Sequence, residues 1–367
     1  MYKNLTIAIL LLGGLGNMNG HGAFASTLDD MVLKALDDRS IPAMTALTIH
    51  EGRVIEQVVH GVRAADSADP ALVGDQWHIG SDTKAMTATM IARLVERGTL
   101  SWHKPLKDML PTTTMLPQYQ DVTLVELLSH RAGLPPQIDE KLIEAAREDQ
   151  RPFTALRLEY AKLALNEAPV GPARAAMNYS NSGFMIAASI AERATGKSYE
   201  TLMQEEVYGP LDIKINTHDS RRGEVLGHQA GKPLSGAKSD IPAYFAPAGS
   251  TTKLSMRDWA KFAIDQMAGE HGKGKLLTAN SYQFLHTPQG DTPSALGWGV
   301  RLGWPSNAPI RMLIHAGSNG YWNALIALAP DSMSAILIAA NAGEGSGAEK
   351  AEVNIVRTLL PSLVSSQ

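Results

Sequence analysis

The 367-residue sequence predicts a mixed α/β fold, with one antiparallel sheet built from both chain ends, flanked by terminal helices, and a central helical lobe. Three observations carry this prediction. Short apolar segments bounded by turn residues, which read as strands, are confined to the early part of the chain and its last quarter. The sequence between them has apolar residues at helical spacing. A further helical segment lies outside the strands at each end.

Residues 1–25 read as a signal peptide. Lys3 forms a short basic region, residues 5–15 an apolar one, and Ala23-Phe24-Ala25 an A-x-A cleavage site before Ser26. That eleven-residue stretch falls short of the roughly 20 needed to span a bilayer. Cleavage after Ala25, a periplasmic or secreted location and no stable membrane insertion are therefore expected. A helix over 28–36 comes next, then a hairpin with strands at 43–50 and 54–60 about a turn at Glu51-Gly52. Helices are predicted at 125–128, 140–147, 154–165, 183–194, 199–207 and 256–267. Strands follow at 297–302, 311–314, 322–329 and 333–340, with turns at Gly303-Trp304-Pro305 and Pro330-Asp331. A closing helix over 348–360 has Val353, Ile355, Val356, Leu359 and Leu360 as its apolar face. No repeat or low-complexity linker divides the chain. Residues 26–367 are expected to form a single domain, with a sheet lobe of about 26–80 and 290–367 and a helical lobe of about 81–289.

Composition excludes several function classes. At 44% hydrophobic and 19% charged, the chain is ordinary for a globular protein and long enough for a large core. Loss of Lys3 leaves 32 basic against 37 acidic residues, a net −5, which gives no nucleic-acid footprint. Cysteine is absent, so disulfides, a thiol nucleophile and a lipidated cysteine are excluded. The eleven histidines contain no H-E-x-x-H and no zinc-type cluster, and Glu205-Glu206 reads as a solvated helix face. Gly-rich stretches at 13–16 and 343–347 lack a phosphate loop's spacing and lysine. No metal or other cofactor is expected, and the expected partner is a small-molecule or peptide substrate. The sequence carries no signal for an oligomeric state.

The informative motif is Ser81-Asp82-Thr83-Lys84. Residues three apart share a helix face, so hydroxyl and ammonium meet without help from the tertiary fold. The lysine lowers the cost of deprotonating the serine, which turns a weakly acidic hydroxyl into a nucleophile. Ser-x-x-Lys also occurs at Ser101/Lys104, Ser235/Lys238 and Ser250/Lys253, and context separates the four. Ser101 runs into Pro105, which blocks a helical turn. Ser235 lies in a polar stretch with no apolar period. Ahead of the helix that follows Ser250, Ser255 is the better cap, with Asp258 three residues on. Only Ser81 opens a sustained helical period, through Met86, Met90, Ile91, Leu94 and Val95 to a stop at Gly98. The helix N-terminus adds amide donors and a partial positive charge beside the hydroxyl.

Acyl transfer also needs a proton carrier and donors for the oxyanion. Tyr179-Ser180-Asn181 lies in a polar run just before a helix. Beside the Lys84 ammonium, the Tyr179 pKa is expected to fall from about 10, making it general base and then general acid. Asn181 offers an amide donor to substrate. Tyr-x-Asn recurs at Tyr321-Trp322-Asn323, at the start of a strand, so Tyr321 stands as the alternative. His315-Ala316-Gly317-Ser318 reads as the close of a strand entering a turn, where a substrate backbone has room to lie alongside.

In this order the three motifs resemble those of the serine β-lactamase-like family, which takes in class C β-lactamases, D-Ala-D-Ala carboxypeptidases and family VIII-type esterases. Class A members carry S-x-x-K, S-D-N and K-T-G, and the tyrosine of the second motif is similar to the class C branch instead. The likeness extends to residues 122–135 (VTLVELLSHRAGLP), 178–184 (NYSNSGF), 208–211 (YGPL) and 247–260 (PAGSTTKLSMRDWA). The resemblance implies a β-lactamase/transpeptidase-like fold, with Ser81 as nucleophile and Lys84 and Tyr179 managing its proton. It further implies that Asn181 orients substrate, that His315 and Gly317 flank it, and that the Ser81 and Ser318 amides form the oxyanion hole. The sequence departs from the pattern twice. His315 stands where class C β-lactamases carry lysine, and Ser101-Trp102-His103-Lys104 replaces an acidic pair. Histidine is typical of peptidase and esterase relatives. Titrating near pH ~6.5 when unperturbed, it attracts a substrate carboxylate weakly at neutral pH. The expected function is an exported serine hydrolase acting through an acyl-enzyme on ester, amide or peptide carbonyls, esterase or DD-peptidase-like. A class C-type β-lactamase and a non-catalytic penicillin-binding or sensor domain are the alternatives.

Overall fold

The computed structural model describes residues 27–37, 40–215, 223–234, 241–303 and 310–364. The predicted signal peptide, the Ser235/Lys238 pair and Trp304-Pro305 of a predicted turn lie outside the described residues. The main sheet comprises β1 (Ala43–His50), β2 (Arg53–Gly61), β3 (Gly299–Leu302), β4 (Arg311–Ser318), β5 (Asn323–Ala329) and β6 (Ser334–Ala340). Their spatial order is β2-β1-β6-β5-β4-β3, antiparallel throughout. The pairing of β1 with β6, with Met44 opposite Ala340 and Ile49 opposite Ala335, joins the two ends of the chain into one sheet. The longer helices are α1 (Leu28–Asp37), α2 (Thr83–Glu96), α3 (Phe153–Ala164), α4 (Asn181–Thr195), α5 (Met256–Glu270) and α6 (Ala348–Val364). The architecture is thus the mixed α/β one that the sequence predicts.

Strand β6 shows why its sequence is a continuous apolar run: every residue is buried, because both sheet faces are covered. Side chains alternate between the faces. Ile336, Ile338 and Ala340 join Leu28 and Val32 of α1 and Ile355 and Val356 of α6 in one core. Ala335, Leu337 and Ala339 belong to the larger core, with Met86 of α2 and Phe262 of α5. In β4 the fold differs from the sequence reading. The strand continues past Ile314 to Ser318, because Ala316, Gly317 and Ser318 pair with Leu325, Ala324 and Asn323 of β5. Small residues that read as a turn are there sheet residues.

Elsewhere the differences are local. The segment predicted as a helix over 199–207 is a short helix, Tyr199–Met203, followed by a wider π-type turn, Gln204–Tyr208. Among the elements not predicted are helix Ala279–His286 and a strand pair between Gln76–His78 and Lys253–Ser255. That pair leads directly into Ser81. On α3, the fully buried Arg157 pairs with Glu192 of α4 and with Glu200, and its Nε donates to the Tyr244 carbonyl at 2.8 Å. A buried guanidinium is tolerated only when it is paired and hydrogen-bonded. Here it ties two helices to the Ala243–Ala248 segment that borders the site.

Candidate active site

Ser81 lies in a single 3₁₀ turn, Gly80–Asp82, that opens into α2. The incoming chain is fixed from outside. Ile79 N donates to Thr252 O at 3.1 Å, His78 Nδ1 accepts from Gly80 N at 3.0 Å, and His78 Nε2 donates to Ser250 O at 2.7 Å. Lys84 follows in the first turn of α2, and its Nζ is 2.9 Å from Ser81 Oγ, as the three-residue spacing requires. The same Nζ donates to Ala248 O at 2.6 Å. With one N–H so held, a neutral amine has its lone pair available to the serine hydroxyl. Of the other Ser-x-x-Lys pairs described, Ser101 and Lys104 are both exposed. Ser250 is buried without a hydroxyl partner, while Lys253 pairs with Glu224. Ser255 caps α5 by accepting from Asp258 N at 3.2 Å.

Burial decides the protonation states. Lys84 has no exposed surface, and desolvation lowers its pKa to about 7 against the opposing pull of Asp82. Tyr179 differs from the expectation: its pKa is raised, not lowered. Desolvation dominates, the facing Ser81 hydroxyl lowers the pKa and Asp82 raises it. Lys84 Nζ sits over the tyrosine ring, 5.1 Å from the centroid, and the buried phenol oxygen makes no well-formed hydrogen bond. The charge invoked from sequence is therefore near the π face, where it does little to favour phenolate.

The third motif packs behind the serine. His315 is buried, with Nδ1 3.1 Å from Asp82 Oδ1 and 3.0 Å from its neighbour's carbonyl, Ala316 O. A carbonyl only accepts, so Nδ1 carries the hydrogen. Burial first, then Lys84, lower the His315 pKa to about 3. The imidazole is therefore neutral well below pH 6.5, contrary to the unperturbed titration assumed from sequence. Gly317 fills a different need. A Cβ there would lie 1.9 Å from Ile79 O and 3.1 Å from Ser81 N, while one on Gly80, at φ +51°, would lie 2.5 Å from Ser318 N. The backbones that carry the Ser81 and Ser318 amides thus touch, which no side chain would permit. Gly317→Ala is expected to cost about 1–3 kcal/mol by overpacking and to lower kcat. Thermal melts and steady-state kinetics check this, and unchanged turnover would show that the close approach is dispensable.

Ser81 opens onto a cleft that it lines together with Asn181, Gln137, Phe245, Ser318 and Asn319. Asn181 is the first residue of α4, and its Nδ2 donates to Gln137 Oε1 at 3.3 Å. The structure thus brings Ser81, Lys84, Tyr179, Asn181, Gly317 and Ser318 together. It places His315 against Asp82, the residue after the serine, and His315 and Tyr321, like Lys84 and Tyr179, are not among the residues that line the cleft. Glu140 and Glu144 also line it. Sequence reasoning missed these glutamates, Gln137 and the Ala248 carbonyl. The one available signal was the likeness of 247–260, which begins beside Ala248.

A sequence model described as Beta-lactamase matches residues 28–359, and the chain belongs to that family. It is similar to the D-alanyl-D-alanine-carboxypeptidase/endopeptidase AmpH of Escherichia coli (strain K12), 28% identical over 244 residues, which are 63% of this chain and 60% of that protein. Protein flp of Staphylococcus aureus (strain MW2) is 22% identical over 323 residues, 86% of this chain and 62% of that one. The chain spans about three fifths of the length of these curated relatives. In fold it is similar to the octameric penicillin-binding protein homologue from Pyrococcus abyssi, with TM-score 0.73 and 19% identity over 90% of this chain and 76% of that one. For SurE the TM-score is 0.72 at 20% identity, over 91% of this chain and 74% of that one.

Proposed function

We propose that this chain is a serine hydrolase that forms an acyl-enzyme at Ser81 on ester, amide or peptide carbonyls, with neutral esters preferred. The observation that carries the reading is the 2.9 Å contact between Ser81 Oγ and a fully buried Lys84 whose pKa is brought to about 7. A base poised near neutral pH suits general-base catalysis. As Ser81 Oγ bonds to the carbonyl carbon, its proton passes to Lys84 Nζ, and the Ser81 and Ser318 amides hold the developing oxyanion. When the intermediate collapses, the bond to the leaving group breaks. The leaving group takes a proton from the Tyr179 hydroxyl, which Lys84 reprotonates. Water then cleaves the acyl-enzyme by the same groups in reverse.

The preference for neutral substrates rests on the charges around the cleft. Among the described residues that line it, the ionisable ones are Glu140 and Glu144, and both are acidic. His315 is neutral and engaged with Asp82. Neither arrangement attracts the carboxylate of a β-lactam or a D-Ala-D-Ala peptide. The likeness to AmpH, a D-alanyl-D-alanine-carboxypeptidase/endopeptidase by name, favours a second reading, a peptidase acting on D-alanyl-D-alanine ends. A panel of short-chain p-nitrophenyl esters, nitrocefin and D-Ala-D-Ala peptides at pH 7 to 8 tests both. Neutral esters are expected to give the highest kcat/KM. Nitrocefin turned over faster than every ester would replace this reading with a β-lactamase, and peptides turned over fastest would favour the second.

A further inference from the structure

His130 takes no part in the scheme above, yet it is tied to three consecutive residues, Asn178, Tyr179 and Ser180, the last two of which belong to the second motif. It follows the short helix Leu124–Leu128 with φ +59°, in the left-handed region where histidine is one of the few tolerated side chains. From there its carbonyl accepts from Asn178 N at 2.8 Å. Its Nδ1 accepts from Ser180 N at 3.1 Å. Between these two bonds, its ring lies against the ring of Tyr179, with centroids 4.4 Å apart and planes inclined by 31°. The loop continues the attachment: Ser180 Oγ donates to Pro135 O at 2.6 Å and Asn181 N to Pro136 O at 2.7 Å. Each of Asn178, Ser180 and Asn181 is thus held by a hydrogen bond from this loop. Tyr179 alone is held through its ring, since its hydroxyl, which faces Ser81, makes no well-formed hydrogen bond to fix it.

We propose that His130 is the positioning residue of Tyr179, its backbone and Nδ1 bracketing the tyrosine and its ring setting the direction in which the phenol oxygen faces Ser81. The inference rests on the serine-hydrolase reading and deepens it. Because Nδ1 accepts a backbone N–H, the neutral ring carries its proton on Nε2. Burial, with Lys84 and His315 adding repulsion, holds the pKa well below the usual histidine range. His130 therefore stays uncharged and acts through geometry. A misplacement of about 1 Å at a proton donor costs on the order of 10²-fold in rate.

Two partial substitutions separate the contacts. His130→Asn tolerates the left-handed backbone and keeps an acceptor for Ser180 N, but loses the ring. His130→Phe keeps a ring and loses the acceptor, at the cost of backbone strain at φ +59°, so its melting temperature is read alongside its rate. Each is expected to lower kcat by roughly 10-fold to 10²-fold, with KM changed less than about twofold, on esters whose alkoxide leaving group needs a proton. The acylation burst of the p-nitrophenyl ester, whose leaving group departs unprotonated, should be largely spared, while deacylation, which uses Tyr179 in reverse, slows alike for both esters. In a Tyr179→Phe background both substitutions should cost almost nothing more on the alkyl ester. Equal losses of acylation rate on both ester types, or a full loss repeated in the Tyr179→Phe background, would overturn the proposal and leave His130 as a packing residue. Fluorophosphonate labelling of each protein separates the two levels of inference. Labelled protein with additive losses defeats only the His130 assignment. Unlabelled wild-type protein defeats the hydrolase reading and this inference with it.

Discussion

Ser81→Ala is expected to abolish covalent labelling by a fluorophosphonate and to lower turnover by on the order of 10⁴-fold or more, with the melting temperature nearly unchanged. The size follows from what is lost. Ser81 Oγ is the hydroxyl that Lys84 Nζ reaches, at 2.9 Å, and Ser81 and Ser318 line the same cleft. Neither of the other described Ser-x-x-Lys pairs offers a substitute. Ser101 is exposed, and Lys253 is committed to Glu224. Alanine removes one oxygen that hydrogen-bonds Lys84, but Lys84 keeps the Ala248 carbonyl, so the fold has little reason to respond. Alanine at Ser101 or Ser250 should leave labelling intact. Intact-mass detection of an acyl adduct on the Ser81→Ala protein would overturn the assignment.

How much of this site is legible in the sequence depends on how local each relation is. Ser81 and Lys84 meet because three residues of helix separate them, and that spacing is written in the chain. The sheet is legible because β1, β5 and β6 are apolar runs bounded by turns, although nothing local says that β1 lies beside β6. The pairing of Gln76–His78 with Lys253–Ser255 was missed because three-residue strands carry almost no period of their own. His315 shows a subtler failure. Ending the strand at Ile314 left its direction open, whereas the observed strand to Ser318 puts His315 on the same face as Leu313 and Gly317, towards Asp82. Ionisation states were the least legible. The sequence shows which charges lie close along the chain, but not that Lys84 and Tyr179 are sealed from water. For Lys84 the desolvation outweighs the opposing charge of Asp82, and for Tyr179 desolvation and Asp82 act in the same direction.

That burial yields the second large effect, a pH profile with a named owner. Lys84 works as a base only when neutral, so kcat/KM is expected to rise with pH through a midpoint near 7, the value to which burial lowers it. The sign follows from the amine: below the midpoint the ammonium holds the proton that the serine must give away. Tyr179, with its pKa raised, stays a phenol across this range and contributes no limb of its own. Lys84→Ala should therefore remove the limb and cost on the order of 10³-fold or more. Tyr179→Phe should keep the limb while costing on the order of 10²-fold to 10³-fold, the usual range for a lost proton carrier. Because the two pass one proton between Ser81 and the leaving group, they act as a unit, and such units are far from additive. The Lys84→Ala/Tyr179→Phe protein should be within a few-fold of Lys84→Ala alone. Rates measured from pH 5 to 10 on the four proteins give both answers at once. A limb that survives in Lys84→Ala would assign the base to another group. Strict additivity would mean that Lys84 and Tyr179 serve separate steps, and that the relay from the phenol to the leaving group is wrong.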